Sequence, residues 1–200
     1  MKYPMKICCY VITACIFLLT SCATTELTLV WKDRNFQGTV HKIAVVGAFR
    51  KPAVRNFFED AFVKQLKAHG VEAVASYTLV PIADLKNQKE VMAKIRETGA
   101  DAALVTRLVD KKTIERYVPG EVYTFPNYYY YWDPYFNYIY TPGYTVEEEY
   151  AYAETNVYET SDEKLIWSAR SRTLLSGKDQ DLIRSFVGIM VRKLSADGVI

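Results

Sequence analysis

An apolar run followed at once by an amphipathic helix organises the first half of the sequence. In Lys42-Ile43-Ala44-Val45-Val46-Gly47, both alternating faces of a strand would be hydrophobic, which is typical of a central strand that helices cover. Residues 52–70 then carry apolar side chains at spacings of three and four. Pro52 suits a first helical turn and Gly70 the C′ position. Together these features predict an α/β fold.

The same alternation continues toward the middle of the chain. A second strand is predicted at 71–76, a weaker helix at 84–98 ending at Gly99, and a third core strand at 102–109. Strands separated by helices of this length favour right-handed crossovers, which make the core strands parallel.

The second half has a different pattern. An alternating segment at 146–157 has a small-residue face, a turn follows at 161–164, and a returning strand begins at Leu165. With the strand before residue 117, this hairpin forms an antiparallel meander. A strand at 27–31 and a last helix with Asp179 as its N-cap complete the order β-β-α-β-α-β-β-β-α. The fold class predicted is α/β (α+β) with a mixed sheet.

A tyrosine-rich insertion interrupts the meander at about 119–144. Residues 117–158 hold 13 of the 16 tyrosines, and prolines at 126, 134 and 142 argue against regular pairing. Residues from about 123 to 144 are therefore expected to project as a mobile connection. Tyrosine suits contacts with sugars, proteins or the edge of a membrane; the alternative is a low-complexity loop whose tyrosines tolerate exposure. The candidate partner-binding residues are Tyr128, Tyr129, Tyr130, Tyr131, Trp132, Tyr135, Tyr138 and Tyr140.

The amino terminus is typical of an export signal. Lys2 and Lys6 precede an apolar stretch at 7–19, which is short for a membrane span. Leu19-Thr20-Ser21-Cys22 resembles the lipobox of bacterial lipoproteins. That resemblance implies a signal peptide at 1–21, acylation of Cys22, including palmitate, and Cys22 as the first mature residue. The alternatives are an uncleaved anchor helix or an ordinary secretory leader.

Further expectations follow from the lipobox. Ala23, rather than aspartate, resembles the outer-membrane class, so the protein is expected in the cell envelope as a periplasm-facing lipid anchor on that membrane. The lipid bilayer is then its first partner, through Cys22. Residues 22–26 are predicted to form a tether and residues 27–200 a single domain.

Composition narrows the classes of partner. Without Lys2 and Lys6, 23 of the 25 basic residues remain against 23 acidic ones, so the mature chain is neutral and gives no electrostatic footprint for nucleic acid. The four cysteines lie at 8, 9, 15 and 22, which leaves no thiol in the domain for a disulfide.

Sites for metals, cofactors or phosphate are not predicted. His41 and His69 have no spaced cysteine or histidine partners that would indicate zinc, and His69 suits a helix end. Gly47 lies between a strand and a helix, but the stretch lacks the other residues of a phosphate loop. Residues 147–149 are three glutamates; they favour a charged strand edge over a calcium site, because adjacent side chains on a strand point to opposite faces.

The resemblance extends to several structural motifs. The leader, the strand-helix unit at 42–70, the turn Gly99-Ala100-Asp101-Ala102 and the hairpin at 160–167 resemble uncharacterised small lipoproteins of Gram-negative envelopes. The layout is similar to the amino-terminal domain of TolB and the periplasmic domain of CsgG. The resemblance implies no catalytic residue. We therefore expect a non-catalytic binding or assembly component of the envelope, with envelope proteins or glycan as partners.

A hydrolase acting on envelope glycan or peptide is the alternative function. Asp101, Asp110 or Glu115, near predicted strand ends, would then serve as acid or base. Two such carboxyl groups would have to lie about 5–10 Å apart in one cleft.

Overall fold

The computed structural model describes residues 24–124 and 138–200, with the side chains of 123, 124, 138 and 139 excepted. Its sheet strands are β1 (Thr25–Lys32), β2 (Lys42–Ala48), β3 (Glu72–Ala75), β4 (Ala102–Val118), β5 (Glu121–Thr124), β6 (Tyr138–Thr141), β7 (Tyr144–Glu159) and β8 (Leu165–Leu174). Six of them form one sheet in the order β1-β8-β7-β4-β2-β3, while β5 and β6 pair separately.

The sheet is mixed, as the sequence predicted. β2 lies between β3 and β4 and is parallel to both. β4, β7, β8 and β1 follow as an antiparallel series. The parallel half coincides with the strand-helix alternation, and the antiparallel half with the predicted meander, so the α/β (α+β) fold class is confirmed.

Helices cover both faces of the parallel half. α1 (Pro52–Ala68) and α3 (Asp179–Ala196) pack on the side of Ile43 and Val45, together with the buried Trp167. α2 (Gln88–Glu97) packs on the opposite side, against Ala44 and Val46. This arrangement explains why β2 is apolar on both faces. No helix in the described part of the chain is long and apolar enough to cross a membrane.

Two helix starts differ from the sequence predictions, and one helix end agrees with them. α2 begins at Gln88 instead of 84, because residues 82–86 form a 3-10 turn and Asn87 accepts the amide of Glu90 as the cap. α3 has Lys178 at the N-cap, so the predicted capping role of Asp179 is wrong; Asp179 lies in the first turn, where a carboxylate still favours the helix dipole. Gly70 has a φ of +81°, which confirms its place after α1.

The amino-terminal strand begins earlier than expected. Thr25 pairs with Thr173 of β8, and their buried hydroxyl oxygens lie 2.8 Å apart. The amide of Leu174 also donates to the carbonyl oxygen of Thr24. Thr25 and Glu26, which the sequence assigned to a tether at 22–26, are therefore part of β1, because this hydrogen bonding fixes them to the sheet.

Candidate interaction surface

A two-stranded ribbon extends from one end of the sheet. β2 pairs with β4 only as far as Arg107, and β8 pairs with β7 only from Tyr150 onward. Beyond these points residues 113–118 and 144–149 pair with each other and with no third strand, and we call them the ribbon. Its β4 strand has six residues, roughly 20 Å at about 3.3 Å each. The strand predicted at 102–109 is thus much longer, because its antiparallel partner continues the ladder.

Paired Pro-Gly dipeptides separate the ribbon from the short ladder β5–β6. A Cβ atom on Gly120 would lie 2.5 Å from the Thr141 carbonyl oxygen and 2.8 Å from the Gly143 amide nitrogen. A Cβ on Gly143 would overlap the phenol of Tyr117 and lie 2.9 Å from the Gly120 amide nitrogen. The two strands therefore approach closely only because both positions are glycine.

The tyrosine-rich insertion is partly paired. The expectation of an irregular connection from about 123 to 144 is wrong at its flanks, because β5 and β6 form an antiparallel ladder in which Val122 faces Tyr140. Of the candidate residues, Tyr140 is exposed and Tyr138 lies in β6. Tyr128, Tyr129, Tyr130, Tyr131, Trp132 and Tyr135 lie outside the described residues.

Exposed apolar and aromatic side chains are concentrated toward this end of the molecule. Tyr117 is 66% exposed, Tyr144 57%, Val122 59% and Tyr140 60%. In the ribbon, the pairing of Val118 with Tyr144 and of Arg116 with Val146 places Ile114, Val118, Tyr144 and Val146 on one face. The ribbon therefore offers one partly apolar face to whatever lies beside it.

Charged side chains of the ribbon are paired across its strands. Arg116 contacts Glu148 at 2.8 Å, and the Tyr150 hydroxyl donates to the same carboxylate at 2.9 Å. The hydrogen bond from Arg116, followed by that from Tyr150, holds the pKa of Glu148 below its usual range. Glu149 contacts Lys111 at 3.5 Å. The glutamates at 147–149 thus lie beyond the part of β7 that pairs with β8, and no group of three metal-ligating side chains occurs among the described residues.

The amino terminus enters the sheet at the end from which the ribbon leaves. Thr25 is level with Thr173, and Thr173 pairs with Ala151 of β7. From Ala151, β7 runs toward Tyr144 and into the ribbon. Thr24, the first residue that the structure describes, therefore lies beside the base of the ribbon.

A buried ionic network, absent from the sequence predictions, fastens α1 to the sheet. Arg55 is 2% exposed and Glu59 0%, and Arg55 Nε donates to Glu59 Oε1 at 2.9 Å. The same oxygen accepts the Gly47 amide and the Ser76 hydroxyl, while Oε2 accepts the Tyr77 amide. Because the Gly47 amide is used here, it is not available to a phosphate. The i,i+4 spacing of Arg55 and Glu59 beside Phe58 and Phe62 is the signal that could have revealed the pair.

An open groove lies between α2 and β7. It has a volume of about 540 Å³, with Val105 and Met92 among its apolar residues and Glu154, Asn156 and Arg107 on its polar side. The Asn156 amide donates to Glu154 at 3.1 Å, and Arg107 donates to the other carboxylate oxygen at 3.1 Å. The hydrogen bond from Asn156 and then that from Arg107 lower the pKa of Glu154. The side chains on this wall are thus held in place before any ligand arrives.

The carboxylates considered for a hydrolase lie along one strand. Asp101 precedes β4 and accepts the amides of His41 and Lys42, whereas Asp110 and Glu115 lie far along it. Nine residues of strand separate Asp101 from Asp110, roughly 30 Å at about 3.3 Å each, and five more separate Glu115, about 17 Å. These residues do not form the close pair that glycoside hydrolysis requires. His69 contacts the Gln65 carbonyl oxygen at the end of α1, as its position suggested.

Comparisons with known proteins add the following findings. No protein-family model matches the sequence, and no curated protein matches it. Similar solved structures include the PelC dodecamer from Paraburkholderia phytofirmans, with 14% identity, coverage of 84% of this chain and 94% of that one, and a TM-score of 0.44. Lipoprotein GNA1162 from Neisseria meningitidis has 13% identity, coverage of 78% and 98%, and a TM-score of 0.41. These likenesses are too distant to assign a family or an activity.

Proposed function

We propose that this protein is a lipid-anchored component of the bacterial cell envelope. Cys22, acylated after removal of residues 1–21, would hold the domain on the periplasmic face of the outer membrane. The domain would act by binding or assembly and not by catalysis, with envelope proteins or glycan as partners.

One observation carries this proposal: the lipobox-like Leu19-Thr20-Ser21-Cys22 stands immediately before a folded domain. Only Ala23 and Thr24 separate Cys22 from Thr25, whose hydroxyl is buried against Thr173. An uncleaved anchor helix would need a longer apolar stretch to cross the membrane comfortably. Several acyl chains, each contributing about 0.8 kcal/mol per buried methylene, would anchor the domain firmly.

The binding role is supported by surfaces that the helices leave uncovered. On the face opposite α1 and α3, β7 carries the half-buried Asn156 and Tyr158, which line the groove beside α2, and β8 carries the exposed Arg170. Small-molecule and peptide sites commonly combine an apolar floor with a few oriented polar groups. The carboxylates named for hydrolysis lie far apart along β4, which favours binding over catalysis.

The anchor is tested by substitution and metabolic labelling. Cys22→Ser should abolish incorporation of radiolabelled palmitate and the dependence of precursor cleavage on the lipoprotein signal peptidase, so that uncleaved precursor is present with or without an inhibitor of that enzyme. Cys15→Ser is the matched control, because it removes a thiol from the leader without touching the acylation site, and it should leave both signals intact. Palmitate labelling that persists in Cys22→Ser would contradict the proposal.

A further inference from the structure

We infer that the ribbon and the β5–β6 ladder lie against the same lipid bilayer that holds Cys22, with the side chains of Tyr117, Val122, Tyr140 and Tyr144 at the level of the headgroups. This inference rests on the proposed lipidation of Cys22. It adds a second, non-covalent contact between the protein and the membrane, made by the polypeptide itself.

The connection between Cys22 and the first strand is short. Cys22 is three residues from Thr25, a distance of at most about 10 Å for a fully extended chain. Thr25 is fixed in β1 by its pairing with Thr173. The start of β1 is therefore held close to the membrane surface, whatever the orientation of the domain.

The ribbon extends well beyond the start of β1. Thr25 pairs with Thr173, which pairs in turn with Ala151, so Thr25 and Ala151 lie at the same height along the strands. From Ala151, β7 runs seven residues further to Tyr144. That distance is roughly 23 Å at about 3.3 Å per residue, more than twice the length of the tether. With its strands upright on the membrane, the domain would push the ribbon into the bilayer; with its strands flat, the ribbon would lie along the surface. In both arrangements the ribbon contacts the headgroup region; only a sheet standing on its β1 edge would raise the ribbon, by two strand spacings or about 10 Å.

The exposed side chains of the ribbon and the ladder are suited to the headgroup region of a membrane. A two-stranded ribbon is marginally stable in water without a further layer, yet this one presents Tyr117 and Tyr144 at more than half exposure, and the adjoining ladder presents Val122 and Tyr140 likewise. Tyrosine is enriched where membrane meets water, because its ring is apolar and its hydroxyl is not. Arg116 and Glu148, which lie in the same ribbon, form an ion pair. Such a pair is suited to the polar headgroup region of a bilayer.

The test uses the lipidated protein and its lack of other thiols. Acylation blocks Cys22, and the mature chain has no other cysteine, so a cysteine introduced at Tyr140 can be labelled selectively with an environment-sensitive fluorophore. Ser161→Cys is the matched control, since it is exposed in the turn between β7 and β8, at the far end of the sheet. Val122→Cys, which faces Tyr140 in the ladder, gives a second reporter should Tyr140→Cys perturb the protein.

The proteins are reconstituted into vesicles of phosphatidylethanolamine and phosphatidylglycerol that contain a headgroup-level quenching lipid. We expect strong loss of fluorescence at 140 and 122 and little loss at 161. Equal, weak quenching at all three positions in protein that floats with the vesicles would overturn the inference, because the ribbon and the ladder would then lie away from the bilayer. Failure of the lipidation itself is distinguishable, because Cys22 would then take up the label and the protein would not float.

Discussion

Replacing Arg55 with leucine should strongly destabilise the domain. Glu59 is fully buried, and Arg55 supplies its compensating charge through a 2.9 Å hydrogen bond. Removing one partner of a buried ion pair costs about 3–5 kcal/mol, because the other charge remains without compensation. Glu59 would keep the Gly47 and Tyr77 amides and the Ser76 hydroxyl as donors. The expected loss in the free energy of unfolding is therefore at the lower end, about 3 kcal/mol.

The measurement is urea unfolding of the mature protein, followed by the fluorescence of the buried Trp167. Arg107→Leu is the matched control, because Arg107 is 62% exposed in its pair with the mostly buried Glu154, and an ion pair with a solvent-exposed member contributes at most about 1 kcal/mol. Arg55→Leu combined with Glu59→Gln should recover part of the lost stability, since the buried charge disappears. The reasoning is refuted if Arg55→Leu costs no more than Arg107→Leu.

Two further predictions concern the ribbon. Gly120→Ala should remove amide-exchange protection from β5–β6 and leave the core intact, because the new Cβ would lie 2.5 Å from the Thr141 carbonyl oxygen. Gly38→Ala is the control and should have little effect, because its new Cβ would lie 3.5 Å from the nearest atoms. Equal protection of β5–β6 in the two variants would contradict this prediction. Glu148→Gln should lower ribbon protection at pH 7, and this difference from the unmodified protein should shrink as the pH falls below the ordinary glutamate pKa of about 4.3. The folded pKa of Glu148 is lowered chiefly by the hydrogen bond from Arg116, so the stabilising contribution of the carboxylate is fully present above the ordinary pKa and is lost as the pH falls through the folded pKa. A difference that does not shrink with falling pH would be inconsistent with this.

Local patterns predicted much of the fold. The apolar run predicted β2, the apolar residues at spacings of three and four predicted α1, and the glycine after that helix predicted the C′ position of Gly70. All three signals come from residues that are neighbours in the sequence. The antiparallel pairing of β7 and β8 followed from alternation and one short turn. These elements could be predicted because one side of each is buried, which leaves a hydrophobic period in the sequence.

Features that depend on distant partners could not be predicted in the same way. Charged residues on a helix are normally expected to face solvent. Arg55 and Glu59 are buried because the fold brings Ser76 and the Gly47 amide into hydrogen-bond contact with Glu59, and these partners are distant in the sequence. The extension of β4 past residue 109 has no apolar period, because the ribbon has no core beneath it. The placement of Thr25 beside the base of the ribbon depends on strand register, to which the sequence alone gives no access.

The central claim, that the protein is anchored through Cys22, is tested most directly by mass spectrometry of the amino-terminal peptide from protein purified out of the envelope. The account predicts a peptide that begins at Cys22 and carries a diacylglyceryl group on its sulfur and an acyl chain on its amino group. A mature protein that retains residues 1–21, or that has an unmodified Cys22, would contradict it.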